Sequence, residues 1–244
     1  MRPKCFILIL LLAALVFGAA AFLLQKRPPG DAAPQATETP KASTVDLATL
    51  RTRAEAGDPA AQTSLGKLYL EGTAMKADVK EAVKWIQLAA DKNYPDALSL
   101  LGELTQAGQG VPLSLDEAIR LYRRAADIGS VAGQYNLAYL YEQGTGVKQD
   151  EREAAKWYQL AAEGGDPIAQ FDIGQRFQLG VGVATNRVQA FKWLTLAAAQ
   201  GQSDSVKRLP GLKPEMSGEE LAEASRLVKE FVPRSAKPYV QATN

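Results

Sequence analysis

The sequence predicts an all-α fold, a solenoid of four 36-residue helix-loop-helix units with a capping helix at each end, on three observations. The chain superposes on itself every 36 residues without an insertion, apolar residues in each copy recur at helical spacing, and each copy carries the same helix-start signature. A period of roughly 20–50 residues marks a stack whose units bury their apolar faces only against their neighbours. Leu65, Leu101, Leu137 and Ile173 form one column; Gly66, Gly102, Ala138 and Gly174 the next; Gly72, Gly108, Gly144 and Gly180 a third. Ala82, Ala118, Ala154 and Ala190 follow, then Trp85, Leu121, Trp157 and Trp193, then the alanine pairs beginning at Ala89, Ala125, Ala161 and Ala197.

Each unit reads as two helices. The first, Ala61 to Glu71 in unit one, places Ala61, Leu65, Leu68 and Tyr69 on one face, and Gly72 follows as a terminator able to take positive φ. The second opens at Asp78, Ser114, Asp150 or Asn186, with Glu81, Glu117, Glu153 or Gln189 three positions on, which predicts a capping box in every unit. The small residues let neighbouring backbones approach, and the tryptophan column supplies buried area. These spacings place the units at about 58–93, 94–129, 130–165 and 166–201 within a repeat domain over 46–231.

The flanks are read in the same way. Residues 5–24, CFILILLLAALVFGAAAFLL, form an uncharged run between Arg2, Lys4 and Lys26, Arg27, and at about 1.5 Å per residue the run spans a hydrocarbon core of roughly 30 Å. A single-pass anchor over 1–27 is the first reading; a cleaved signal peptide ending at Ala19-Ala20-Ala21 is the alternative. The positive-inside tendency puts the N-terminus in the cytoplasm and exports the repeats. Residues 28–45, rich in Pro, Ala and Thr, read as a flexible linker. Asp46 to Ala56 aligns with the second helix of a preceding half-unit and reads as the N-terminal cap. Ser205 and Leu209 fall in the first-helix columns of a fifth unit that Pro210 is expected to stop. A closing helix over 217–231 carries the stripe Leu221, Ala224, Val228 and Phe231, and residues 232–244 read as a flexible tail.

Unit three shows the full pattern: Leu137-Ala138, Tyr141, Gly144-Thr145-Gly146-Val147, Asp150, Glu153-Ala154, Trp157, Ala161-Ala162 and Gly165. This pattern resembles the Sel-one-like repeat (SLR) family over about residues 58–202. Unit one departs, with Ala74-Met75 where the others have Gly110-Val111, Gly146-Val147 and Gly182-Val183. The resemblance implies a right-handed, tetratricopeptide-like α-solenoid of a bacterial envelope, acting as a protein-interaction adaptor with its first helices on the concave face.

Composition narrows the chemistry. The chain has no histidine, which removes the commonest general base and metal ligand, and its one cysteine, Cys5, precludes an intrachain disulfide. Setting aside the four bases around the apolar run leaves 24 of the 28 against 27 acids, which is no footprint for nucleic acid. The Gly108-Gln109-Gly110, Gly144-Thr145-Gly146 and Gly180-Val181-Gly182 triplets lack the third glycine of a dinucleotide loop, with Leu113, Gln149 and Thr185 in its place. No catalytic residue, metal or cofactor is therefore expected.

The expected partner is a protein or peptide on the concave face, and the membrane is met only through the N-terminal helix. Given the resemblance, the groove-facing columns are Thr63/Ser99/Tyr135/Phe171, Lys67/Glu103/Tyr139/Gln175 and Leu70/Gln106/Glu142/Gln178, which vary between units. Tyr135, Tyr139, Phe171, Gln175, Glu103, Lys67 and Glu142 are the candidate contacts, with the aromatics as anchors or, alternatively, as packing against a neighbouring helix. The expected setting is the bacterial inner membrane with the repeats in the periplasm, or a periplasmic or secreted protein if the segment is cleaved. A second class, a cell-envelope enzyme or cell-wall-binding protein, follows from cysteine-rich relatives linked to β-lactam chemistry, whose cysteine pairs this chain lacks.

Overall fold

The computed structural model describes residues 44–234. The apolar run at 5–24, the linker to residue 43 and the tail from 235 lie outside the described residues. Among the described residues no helix is long and apolar enough to cross a membrane. Eleven α-helices follow one another among the described residues: α1 Thr44–Glu55, α2 Pro59–Glu71, α3 Val79–Asp91, α4 Pro95–Ala107, α5 Leu115–Asp127, α6 Val131–Gln143, α7 Glu151–Glu163, α8 Pro167–Leu179, α9 Arg187–Ala199, α10 Ser203–Leu212 and α11 Gly218–Lys229. From α1 to α10 each helix packs on the next in sequence, and α11 folds back on α9, so the stack is an α-solenoid in which α2, α4, α6 and α8 are the first helices of the four units.

The sequence sets these helix ends closely. Asp78, Ser114, Asp150 and Asn186 accept backbone N–H bonds from the first turn of α3, α5, α7 and α9. The predicted capping box is only half formed there. Glu81, Glu117 and Glu153 turn outward to Lys84, Arg120 and Lys156 one turn on, and the reciprocal bond to the cap is not made. The complete box forms at the closing helix, where Ser217 and Glu220 exchange both bonds. Gly72 takes the expected left-handed conformation with φ of 67°.

Within a unit the two helices meet at the glycine column. A Cβ on Gly66 would sit 2.5 Å from the side chain of Ile86, and one on Gly102 2.7 Å from the Tyr122 ring, so large side chains of the second helix lie directly over the first-helix backbone. Between units, a buried glutamine column does the joining. Gln62, Gln134 and Gln170 donate from Nε2 to the carbonyls of Ala54, Ala126 and Ala162, near the end of the preceding second helix. Each of these carbonyls also accepts the turn N–H of Gly57, Gly129 or Gly165, so the glutamine adds a second bond that ties the helix end to the next unit, worth about 1 kcal/mol.

The second interunit contact explains the Gly-Val columns. Gly110 approaches Val79 and Val83, Gly146 approaches Leu115 and Ile119, and Gly182 approaches the backbone of Glu151, all with φ near +70°. Each loop thus lies on the first turn of the preceding second helix, where a Cβ has no room. Unit one has no complete unit before it, and Ala74 stands in this position, exposed and without positive φ.

The ends are closed as the apolar stripes require. On the N-terminal side Leu47, Leu50 and Ala54 of α1 cover Ala61 and Leu65. On the other, Leu221 and Ala224 of α11 join Ala190, Leu194 and Leu212, while Phe231 meets Trp193 edge to face at 5.5 Å. Two expectations change here. Pro210 does not stop α10, which runs to Leu212, fully buried in this cluster; burial of that leucine holds the helix for two more residues. The first residues of the tail are also docked: the Arg234 N–H donates to the Glu163 carbonyl at 2.7 Å, and its guanidinium pairs with the Glu163 carboxylate.

Substituting Gly182→Ala should destabilise the stack by more than about 2 kcal/mol, because the new Cβ would fall 1.9 Å from the Glu151 carbonyl oxygen at a φ of +70°. Ala74→Gly, at the equivalent but uncovered position, should cost no more than about 1 kcal/mol. Thermal melting followed by circular dichroism compares the two; equal losses would contradict this account of the interunit contact.

Candidate functional site

First helices that lie side by side present a continuous surface, and its character depends on which columns point outward. The central column does so: Lys67, Glu103 and Tyr139 are exposed and Gln175 is half-buried, with Tyr139 showing 43% of its surface. The two flanking columns turn toward neighbouring helices. Thr63 and Ser99 are buried and donate to the carbonyls of Pro59 and Pro95 at 2.8 and 3.2 Å, so the expectation that they face a groove is corrected. Ser99 also reaches Ser130 of the next unit at 2.7 Å. Leu70 packs into the core, and Gln106 and Glu142 each accept a hydroxyl bond, from Tyr122 and Tyr158 respectively, at 2.9 Å.

The residue missed by sequence reasoning is the one after each member of the first column: Ser64, Leu100, Asn136, Asp172 and Arg208. Positions 64, 67 and 71 share a helical face, as do 63, 67 and 70 rotated by one residue, and the choice between the two stripes depends on tertiary packing. Their variability between units was a usable signal, since packing does not dictate their identity. Asn136 donates to Glu103 across the unit boundary at 3.1 Å. Although the residue is exposed as a whole, neighbouring atoms partly desolvate the Glu103 carboxyl and push it up, while Asn136 and the Lys67 ammonium of the unit before draw it back down.

Polar groups concentrate where units three and four meet. Arg176, with a side chain only 6% exposed, donates to Glu142 at 2.5 Å and to Glu151 at 2.6 Å, and its guanidinium lies 5.1 Å from the centre of the Tyr158 ring. Glu142 is thereby committed on both oxygens, to Arg176 and to the Tyr158 hydroxyl. Tyr135 packs edge to face on Tyr158 at 5.4 Å, half-buried. Burial raises the Tyr135 and Tyr158 hydroxyls well above the usual tyrosine range, so both stay protonated as donors. Asp172 stands beside this group. Burial, aided by the charge of Glu142, pushes it up to about 7, with Arg176 and the Tyr135 hydroxyl pulling the other way.

Further along the same surface, Phe171 and Gln175 of α8 line an open cleft of about 570 Å³ with Asp204, Lys207 and Arg208 of α10. The Arg208 guanidinium lies 5.8 Å from the centre of the Phe171 ring and donates to Gln178 at 3.3 Å. Lys207 pairs with Asp204 at 3.1 Å, an exposed contact one turn apart. Of the residues the sequence singled out, the structure brings Lys67 and Glu103 together at one end, Tyr135, Tyr139 and Glu142 in the middle, and Phe171 and Gln175 at the cleft.

The raised carboxyl has a measurable consequence. Asp172 favours folding in its neutral form: its contribution is present below about pH 4 and is lost as pH rises through about 7. Asp172→Asn should therefore gain stability relative to the parent chain between pH 4 and pH 8, by at most about 4 kcal/mol. Urea unfolding at the two pH values reads the difference; a constant offset would contradict the assignment.

Comparison with known proteins now gives the arrangement a family. The Sel1 repeat matches residues 59–94, 95–130, 131–166 and 167–202, more than half of the chain. A Sel1 repeat protein from Oxalobacter formigenes is 32% identical over 76% of this chain and 78% of its own, with a TM-score of 0.65. A protective antigen of uropathogenic Escherichia coli with an SLR fold is 26% identical over 79% of this chain, at a TM-score of 0.50; the match spans 49% of that protein. An immunity protein from Pseudomonas aeruginosa, 18% identical over 95% of this chain and 84% of its own, shares the fold at a TM-score of 0.52. No curated protein matches in sequence. With four consecutive matches to one repeat and a stack that follows their boundaries, the chain belongs to the Sel1 repeat family.

Proposed function

We propose that the chain is a non-catalytic adaptor that captures a protein or peptide partner on its first-helix surface, held at a bacterial inner membrane with the repeats on the periplasmic side. Sel1 repeat proteins generally serve as protein-interaction scaffolds. The observation that carries the reading is the outward column from Lys67 through Glu103 and Tyr139 to Gln175. It varies in every unit, while beside it Thr63 and Ser99 are buried and Gln106 and Glu142 are engaged by tyrosine hydroxyls. An exposed tyrosine on such a surface supplies contact area at low entropic cost, and half-buried carboxylates and amides around it supply direction.

Against catalysis stand the absence of histidine and the commitment of the carboxylates. Among the described residues Asp172 is the one group poised for proton transfer near neutral pH, and its near neighbour Glu142 is held by Arg176 and Tyr158. A general acid and base need distinct, free carboxyls, and this pair does not offer them.

The membrane part of the proposal rests on the uncharged run at 5–24 and the bases flanking it. In cells, the chain should remain with membranes after an alkaline carbonate wash and keep its N-terminal residues by mass spectrometry. A shortened chain in the soluble fraction would sink the tether and leave the adaptor. For the adaptor itself, a photo-crosslinking amino acid at position 139 should trap a discrete partner, whereas one at Trp157 on the second-helix side should not. Equal capture at both positions would remove the first-helix surface from consideration.

A further inference from the structure

The fifth first helix, α10, changes the chemistry of the surface. In the column of Thr63, Ser99, Tyr135 and Phe171 the next position is Lys207, and in the column of Ser64, Leu100, Asn136 and Asp172 it is Arg208. No basic residue occupies either column in units one to four, so two adjacent cations enter only where α10 lies beside α8. They line a cleft with Phe171 and Gln175. The guanidinium over the Phe171 ring is oriented, yet its single bond to Gln178 leaves most of its five donors unused. The Lys207–Asp204 pair joins side chains 74% and 57% exposed, and such a pair contributes little to stability and exchanges readily with an incoming carboxylate.

Resting on the adaptor reading above, we propose that this cleft takes an acidic segment of the partner protein. A carboxylate of that segment is held by Lys207 and Arg208, an adjacent apolar side chain lies on Phe171, and Gln175 bonds the segment's backbone. Charge complementarity selects this occupant. The cleft holds two cations against one acid, Asp204, which is itself tied to Lys207. Arginine offers a planar fork that matches a carboxylate, and the ring beneath it excludes water from one side of the pair. The cleft is open, which suits an extended segment rather than an enclosed small molecule.

The test uses the full chain in a nonionic detergent and a fluorescein-labelled octapeptide alternating leucine and glutamate, with a leucine-glutamine octapeptide as the neutral probe. Fluorescence anisotropy should show the acidic peptide binding at least tenfold more tightly than the neutral one, with the difference shrinking as salt is raised. Lys207→Gln with Arg208→Gln should abolish the preference at an unchanged melting temperature, and Lys67→Gln, at the far end of the surface, should leave it intact. Arg208→Lys, which keeps the charge without the fork and the stacking, should lower the preference in part. Equal binding of the two peptides, or an undiminished preference in the double variant, overturns the proposal. So does a dimer by light scattering that the double variant dissociates, since the occupant would then be a second copy of the chain. Photo-crosslinking at position 139 reports on the adaptor reading separately: a partner trapped there while the peptide preference fails rejects the acidic segment alone.

Discussion

The close approach of the two helices within each unit, at the Gly66, Gly102, Ala138 and Gly174 column, is the constraint on which the remaining geometry depends. With no more than a methyl group on the first helix, Ile86, Tyr122, Tyr158 and Leu194 of the second come to lie across its backbone and are fully buried there. That depth places Tyr122 and Tyr158 so that their hydroxyls emerge at Gln106 and Glu142 and tie the end of the first helix to its partner. Because the pair is rigid, the next unit can be set by two further contacts, the buried glutamine reaching back to the preceding helix end and the Gly-Val loop lying on the preceding helix start. Close packing in proteins transmits such small allowances of space into the position of whole elements.

Most of the architecture was legible because a repeat reports the same physics four times. The leucine, glycine and alanine columns, the caps at Asp78, Ser114, Asp150 and Asn186, and the stripe of the closing helix all follow from residue type and spacing alone. What escaped the sequence depends on tertiary choice. Glu81, Glu117 and Glu153 have a basic residue one turn on as well as a cap behind them, and spacing does not rank the two. Pro210 is a helix breaker by its own chemistry, but the buried Leu212 beyond it extends α10. The surface stripe was displaced by one residue, since positions 63 and 64 both lie within a helical face containing 67. Burial of Thr63 and Ser99 leaves Ser64 exposed and Asn136, Asp172 and Arg208 half-buried beside the central column, while Leu100 packs on the core.

The polar groups follow a gradient of commitment along the stack. Lys67 and Glu103 are exposed, and only Glu103 is bonded, by Asn136 of the next unit. At the junction of units three and four, the buried Arg176 guanidinium is held by both Glu142 and Glu151, so that charge there holds units together, and removing either carboxylate would leave that buried cation with one partner fewer. Beyond it the cations of α10 are exposed or half-exposed and only lightly held. The same residue types thus act as mortar in the middle and as contact surface at the end. Burial decides between the two roles, which composition alone does not reveal.

If the interunit contacts are carried by recurring columns, one unit is removable. Deleting residues 94–129 joins Asn93 to Ser130 and sets unit three on unit one: Gly146 would lie on Val79 and Val83 as Gly110 does, and Gln134 on the end of α3. The account predicts a folded chain that lacks the helicity of two helices and unfolds in a single cooperative transition by circular dichroism. A loss of helicity well beyond that pair, or a broad non-cooperative melt, would contradict it.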